Sequence, residues 1–213
     1  MGAMLSHHVP HRLKKHLPDT FGLSAILMGI SLMQGMEQMV AVVLALIVGT
    51  AAGELLHLES GLTRGLHAMG SKFPAIFNSE SADGLISLIV LFSFSGTGIF
   101  GAMNEAMTGD HTILLSKSIL DFFTAVIFGT TMGYAVALVA LPQMIVGLVL
   151  FLGASQILPM VSAVMLADFK ACGGVITLAA GLKIAKLKEF RVFNMLPALI
   201  LILFASALCS SVL

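Results

Sequence analysis

Continuous apolar runs broken by short polar clusters dominate this chain, and the runs do not alternate apolar with polar residues. That pattern predicts transmembrane helices rather than a barrel, whose strands would alternate with period two. A spanning helix needs about 20 mostly apolar residues, within a range of roughly 17–25. Seven stretches are read as spans: A over 20–36, B over 38–56, C over 84–104, D over 112–140, E over 143–160, F over 170–186 and G over 192–211. Gln34 to Gln38 separates A from B, Pro142 starts E, and Pro159 stops it. D is long enough to tilt. The expected fold is all-α, a single polytopic bundle of about seven transmembrane helices over 1–213. Before it, segment 1–19 is basic, His-rich and too polar to span. Between B and C lies the one long connection, 57–83. There Leu58, Leu62, Leu66 and Met69 recur at helical spacing among Glu59, Arg64, His67 and Lys72, which predicts a short interfacial helix on the cytoplasmic face.

Composition excludes the soluble alternative. Of 213 residues, 58% are apolar and 10% charged, against about 25% charged in an ordinary soluble domain. Mean hydropathy is +1.02. Eleven basic and eleven acidic residues cancel, leaving no nucleic-acid footprint. Cys172 and Cys209 form no metal or disulfide pattern. The fourteen methionines suit apolar packing. No nucleophile–base pair, zinc motif or cofactor fingerprint is present, so neither an enzyme nor a bound cofactor is expected.

Charge placement adds orientation. Arg12, Lys14 and Lys15 precede A, Arg64 and Lys72 lie between B and C, and Lys183, Lys186, Lys188 and Arg191 surround the F–G turn. With seven spans these nine share one side, Lys170 falls on the other, and Lys117 lies within D. The positive-inside rule then puts the N-terminus in the cytoplasm and the C-terminus outside.

A shift of 152 positions superposes Gly22 and Gly29 on Gly174 and Gly181, Glu37 on Glu189, Val40 on Val192 and Leu44 on Leu196. A–B would then correspond to F–G in opposite orientation, an inverted repeat of the kind on which many secondary transporters are built.

Charges within a span cost roughly 2.5–3.5 kcal/mol each on insertion scales. Lys117 and Asp121 stand at i and i+4 on D, on one face. Two readings remain: a salt bridge that eases insertion, or a substrate or ion site. Asn104, Glu105, Asp110 and His111 would form a polar mouth leading to them, with Asp110 capping D. Ser93, Ser95, Thr97, Gly96, Gly98 and Gly101 cluster in C and imply either close helix packing or a helix break facing a cavity. Gly129 to Gly133 is a second small-residue face in D, and Gly49 to Gly53 packs the end of B beside Glu54. Pro197 removes a donor from the Phe193 carbonyl next to Asn194, giving a kink or a local polar site.

The run from Phe94 to His111 together with Lys117-Ser-Ile-Leu-Asp121 closely resembles the bacterial YqgA/YdfK family of inner-membrane proteins, whose function is unknown. Phe21-Gly-Leu, Gly53-Glu54, Gly173-Gly174, Gly181-Leu182 and Asn194-Met-Leu-Pro-Ala198 match as well. The resemblance implies a multi-pass protein of the bacterial inner membrane and brings no assigned substrate or catalytic residue. Its members usually begin with a further Gly-rich helix, which Met1 would truncate here and which would pair with E in the repeat. The partners expected are the lipid bilayer and a small solute or ion, with a homo-oligomer as a further option and no nucleic acid. The functional expectation is a small secondary transporter or ion-coupled carrier, with a non-transporting scaffold or regulator as the alternative. Its candidate site is Lys117, Asp121, Asn104, Glu105, Ser93, Thr97 and Asn194.

Overall fold

The computed structural model describes residues 11–70, 89, 92–93 and 95–212. Every element among them is helical: α1 (His11–Met33), α2 (Met39–Leu55), α3 (Leu58–Gly70), α4 (Gly96–Thr108), α5 (Thr112–Met132), α6 (Ala140–Ile157), α7 (Ala163–Ile184) and α8 (Pro197–Val212). Short 3-10 segments cover Gly133–Val139, Leu158–Met160 and Val192–Met195. Among the described residues, four stretches are long and apolar enough to cross a bilayer: Thr112–Thr130, Gly133–Ile157, Ala163–Ile184 and Val192–Ser210. They correspond to spans D to G. Taken with the start of α3, α2 makes a fifth, bent by 46°; the apolar part of α1, Asp19–Met33, is shorter.

The expected boundaries move at four places, each for a local reason. Gly133, at φ 67 and ψ −145, occupies a backbone region that side chains avoid. It therefore ends α5 at Met132, and Gly133–Val139 leads into α6. D does not continue to 140, and Gly133 is a helix terminus rather than part of a packing face. On α7, the Ser162 hydroxyl accepts the Met165 amide at 3.3 Å, so the helix begins at Ala163, seven residues before the expected start of F. Pro197 opens α8, where its missing N–H costs nothing; the Phe193 carbonyl accepts the Leu196 amide at 3.3 Å, so no kink forms. Finally, α1 starts at His11, inside the segment read as a basic leader.

Two antiparallel helix pairs build the frame. In the first, α1 crosses α7 so closely that a Cβ at Gly29 would stand 2.6 Å from the Gly174 carbonyl oxygen, and one at Gly22 2.7 Å from that of Gly181. Reciprocally, Cβ atoms at Gly174 and Gly181 would lie 2.7 Å from the Gly29 and Gly22 carbonyls. Small residues let backbones meet where lipid supplies no hydrophobic drive for helix association. In the second pair, Gly49 abuts Ala198 and Gly53 abuts the Asn194 backbone, setting α2 against α8. The core runs between the pairs through Phe100, Phe169, Ile176, Leu199 and Ile202, all fully buried, and Gly173 leaves room for the Phe100 ring. Leucines, isoleucines and phenylalanines exposed on α1, α2, α5, α6 and α8 form an apolar exterior, as a lipid-facing surface requires.

Of span C, residues 84–88, 90, 91 and 94 lie outside the described residues. The rest resolves the choice between packing and a break, and both occur. Ser95 is extended, at φ −70 and ψ 141, and its hydroxyl accepts the Gly98 amide at 3.1 Å to cap α4. Gly98 then faces the Lys117 stem, and Gly101 faces Ile113 and Leu114. At the other end Gly109, at φ 71, closes α4 in the left-handed conformation. The predicted helix after B is present as α3; residues 71–83 lie outside the described residues.

Candidate functional site

Two helices and Phe92 surround the charged pair. On α5, one helical step places Lys117 Nζ against Asp121 Oδ2. From α6, Gln143 Nε2 donates to the same oxygen at 2.7 Å. The Phe92 ring centroid lies 5.7 Å from the ammonium, close enough for a cation–π contact. Lys117 is 7% exposed and Asp121 22%. Asp121 lies nine residues into α5, about 13 Å from its start at 1.5 Å per residue, too deep for a side chain to reach the helix end.

Two cavities flank the pair. One, of about 350 Å³, is lined by Asp121, Gln143, Phe92, Tyr134 and the Gly133–Val139 segment. The other, of about 340 Å³, is lined by Lys117, Gln143, Phe92, Ser93, Glu105 and apolar residues of α6. Asp121 borders only the first and Lys117 only the second, while Phe92 and Gln143 border both. The ion pair thus stands as a partition, its anion facing one space and its cation the other.

The expected site residues divide around this centre. Ser93 lines the Lys117 cavity, is 4% exposed, and its hydroxyl has no partner. Glu105 lines the same cavity, with His111 Nδ1 2.9 Å from its carboxylate. Thr97 is buried in the first turn of α4. Asn104 is fully buried at the end of α4, where its amide donates to the Asp110 carbonyl at 3.4 Å and its own oxygen is unpartnered. His111, not Asp110, is the N-cap residue of α5, and its side chain makes no capping bond; Asp110, one residue earlier, reaches the first helical amide instead, its carboxylate accepting the Thr112 amide at 3.0 Å. Hydrogen bonding to Thr112 holds the Asp110 carboxyl below its ordinary range.

Asn194 belongs to a different cluster. Its side-chain oxygen accepts the Glu59 amide at 2.8 Å, capping α3 from the α8 side. Nearby, Lys183 donates to Glu59 at 3.1 Å and Arg191 to Glu54 at 2.8 Å. These bonds put the α2–α3 bend and the α7–α8 connection at one end of the frame.

The residue that sequence reasoning missed is Asp168. It is fully buried on α7, where Oδ1 accepts the Glu37 and Gln38 amides at 3.1 and 2.8 Å and Oδ2 accepts the Ser206 hydroxyl at 2.6 Å. The carboxylate thereby caps α2 from another helix and ties α2, α7 and α8 together. Starting F at 170 left Asp168 in a turn; the sequence signal for it was Ser162, a capping residue before an apolar helical run. Gln143 was also overlooked. Its signal was a polar side chain inside an otherwise apolar stretch.

A family profile described as "Protein of unknown function (DUF554)" matches residues 1–207. The chain is 43% identical over 213 residues to "Uncharacterized protein YqgA" of Escherichia coli (strain K12), covering 97% of this chain and 90% of that protein. It is 24% identical over 205 residues to "Uncharacterized membrane protein YdfK" of Bacillus subtilis (strain 168), covering 94% and 86%. No solved structure matches.

Proposed function

The chain belongs to the DUF554 family of unknown function, and from the geometry of its buried charges we propose that it is a small secondary transporter or ion-coupled carrier. It is a membrane protein by its apolar helices and by its likeness to YdfK. The observation that carries the transport reading is the partition: Lys117, Asp121 and Gln143 meet at membrane depth between two cavities. An intramembrane charge pair in an enclosed apolar core would be a strut. One whose two members border different cavities is placed to exchange partners with a solute.

The crossing of α1 and α7 supports an inverted repeat. The offset that superposes Gly22 on Gly174 and Gly29 on Gly181 also exchanges the two contacts, Gly22 with Gly181 and Gly29 with Gly174. Such an exchange is what two copies related by a local two-fold would make, the plan of inverted repeats in transporters. The location we propose is the bacterial inner membrane, with the basic start of α1, the α2–α3 bend and the α7–α8 connection on the cytoplasmic side and the C-terminus outside.

The test is ion flux in proteoliposomes. Purified protein is reconstituted and challenged with proton, sodium and small organic ion gradients while charge movement and internal pH are recorded. A gradient-driven signal should vanish in Asp121→Asn and Lys117→Ala, with helix content and elution unchanged. A wild-type signal that survives both substitutions overturns the assignment of the site.

A further inference from the structure

We propose that the Lys117 cavity binds a small monocarboxylate with an apolar tail, which takes the Lys117 ammonium in place of Asp121. The inference rests on the transport reading of this site and adds a substrate class to it. Four observations carry it.

First, the cavity of about 340 Å³ is near the lower end of the range for small-molecule sites. Its wall combines a few polar groups with Phe92, Leu114, Met144, Leu148 and Phe151. Such a wall suits a ligand with one polar end and disfavours a fully hydrated inorganic ion.

Second, the Ser93 hydroxyl is buried at that wall without a partner. Burying a donor unsatisfied is unfavourable, and a ligand oxygen would satisfy it. Ser93 and Lys117 line the same space, and Phe92, the chain neighbour of Ser93, lies 5.7 Å from the ammonium.

Third, the ammonium has three protons and gives one to Asp121 Oδ2, an oxygen that also accepts from Gln143. Gln143 and Lys117 both border the cavity. An incoming carboxylate would meet the donors that Asp121 now uses, together with Ser93.

Fourth, Glu105 sets the ligand's charge. Glu105 lines the cavity, and its carboxylate lies 2.9 Å from His111 Nδ1. A second anionic group on the ligand would be repelled there, which selects a monoanion. A free ammonium on the ligand would have to compete with His111.

Asp121 and the ligand compete as two carboxylates for one ammonium, so removing the Asp121 charge should strengthen binding.

Calorimetric titration of the detergent-purified protein with sodium butyrate tests this without requiring transport. Wild type should bind saturably. Lys117→Gln should lose at least tenfold in affinity while Lys117→Arg retains binding, and Ser93→Ala should lose about five- to tenfold. Asp121→Asn should bind more tightly than wild type. Absence of binding to monodisperse wild type overturns the proposal, as does an Asp121→Asn affinity below wild type or equal binding of leucine or chloride. If butyrate fails to bind while ion flux still depends on Lys117 and Asp121, the substrate class falls and the transport reading stands. Butyrate binding without any flux has the opposite meaning.

Discussion

Replacing Gly174 with alanine should separate α1 from α7 and destabilise the protein by about 2 kcal/mol net. The added Cβ would stand 2.7 Å from the Gly29 carbonyl oxygen and 3.0 Å from Leu32 Cβ and Met33 Cγ. Ordinary contact begins at 3.4 Å, so the backbones must part by about 0.7 Å in the direction of that carbonyl. A carbonyl in a helix cannot rotate aside without losing its own hydrogen bond. Overpacking typically costs about 1–3 kcal/mol, and a backbone obstacle puts this case at the upper end. Parting the helices also weakens the companion contact of Gly22 with Gly181, since a gap of 0.5–1 Å removes a quarter to a half of each dispersion well. Against this, alanine is better than glycine in a helix by about 1 kcal/mol. Gly153→Ala is the control, because its Cβ meets nothing within 4 Å; it should gain helix propensity and stabilise slightly. Unfolding by SDS titration in mixed micelles, followed by circular dichroism, measures both. Gly29→Ala combined with Gly174→Ala should be less than additive, because one displacement relieves both clashes. A Gly174→Ala protein as stable as Gly153→Ala would refute the close crossing.

Asp168→Ala should cost at least about 3 kcal/mol, because two helix-start amides and the Ser206 hydroxyl lose their acceptor together; Asp168→Asn, which keeps an oxygen at that place, should cost less, and hydrogen exchange at Glu37 and Gln38 should separate the two. Asn194→Ala should cost about 1 kcal/mol through loss of the α3 cap, whereas Arg191→Ala should change thermal stability by less than about 1 kcal/mol, since that pair is exposed. The Asp110 cap should act through its charge: with the folded carboxyl held low by Thr112, its contribution is full above the unfolded value and is lost as pH falls through the folded one. Asp110→Ala should therefore lower the melting temperature at pH 7 and have little effect in strong acid.

The sequence made the centre of the site legible because helical periodicity alone puts Lys117 and Asp121 on one face, and α5 begins at Thr112 as expected. The glycine offset was legible too, as a spacing, although only coordinates reveal that the paired glycines meet each other's carbonyls. What sequence could not supply was contact between distant segments. Asn194 was grouped with Lys117 because both are polar and intramembrane; its partner is Glu59, 135 positions away. Asp168 falls before the expected start of F at 170, outside any expected span. Its three partners come from the α1–α2 connection and from α8, and nothing local announces them. The break at Gly133 was legible as glycine but ambiguous, since small residues serve both close packing and backbone conformations with positive φ.

The Asp168 and Asp121 carboxylates differ in how firmly they are held. Asp168 is surrounded by fixed donors, two of them backbone amides at a helix start, and is fully enclosed. Removing it would strand all three donors, so α2, α7 and α8 have every reason to hold one arrangement. Asp121 has one oxygen shared between a flexible lysine and an amide side chain, is partly exposed, and borders a cavity. Its partners can leave one at a time, and each has somewhere to go: Lys117 faces a second cavity and Gln143 faces both. The backbone lining its cavity is also irregular, with Gly133 at positive φ leading into 3-10 turns. Rearrangement should therefore be confined to α4, α5 and α6, moving against a frame that the glycine crossings and the Asp168 cap keep still.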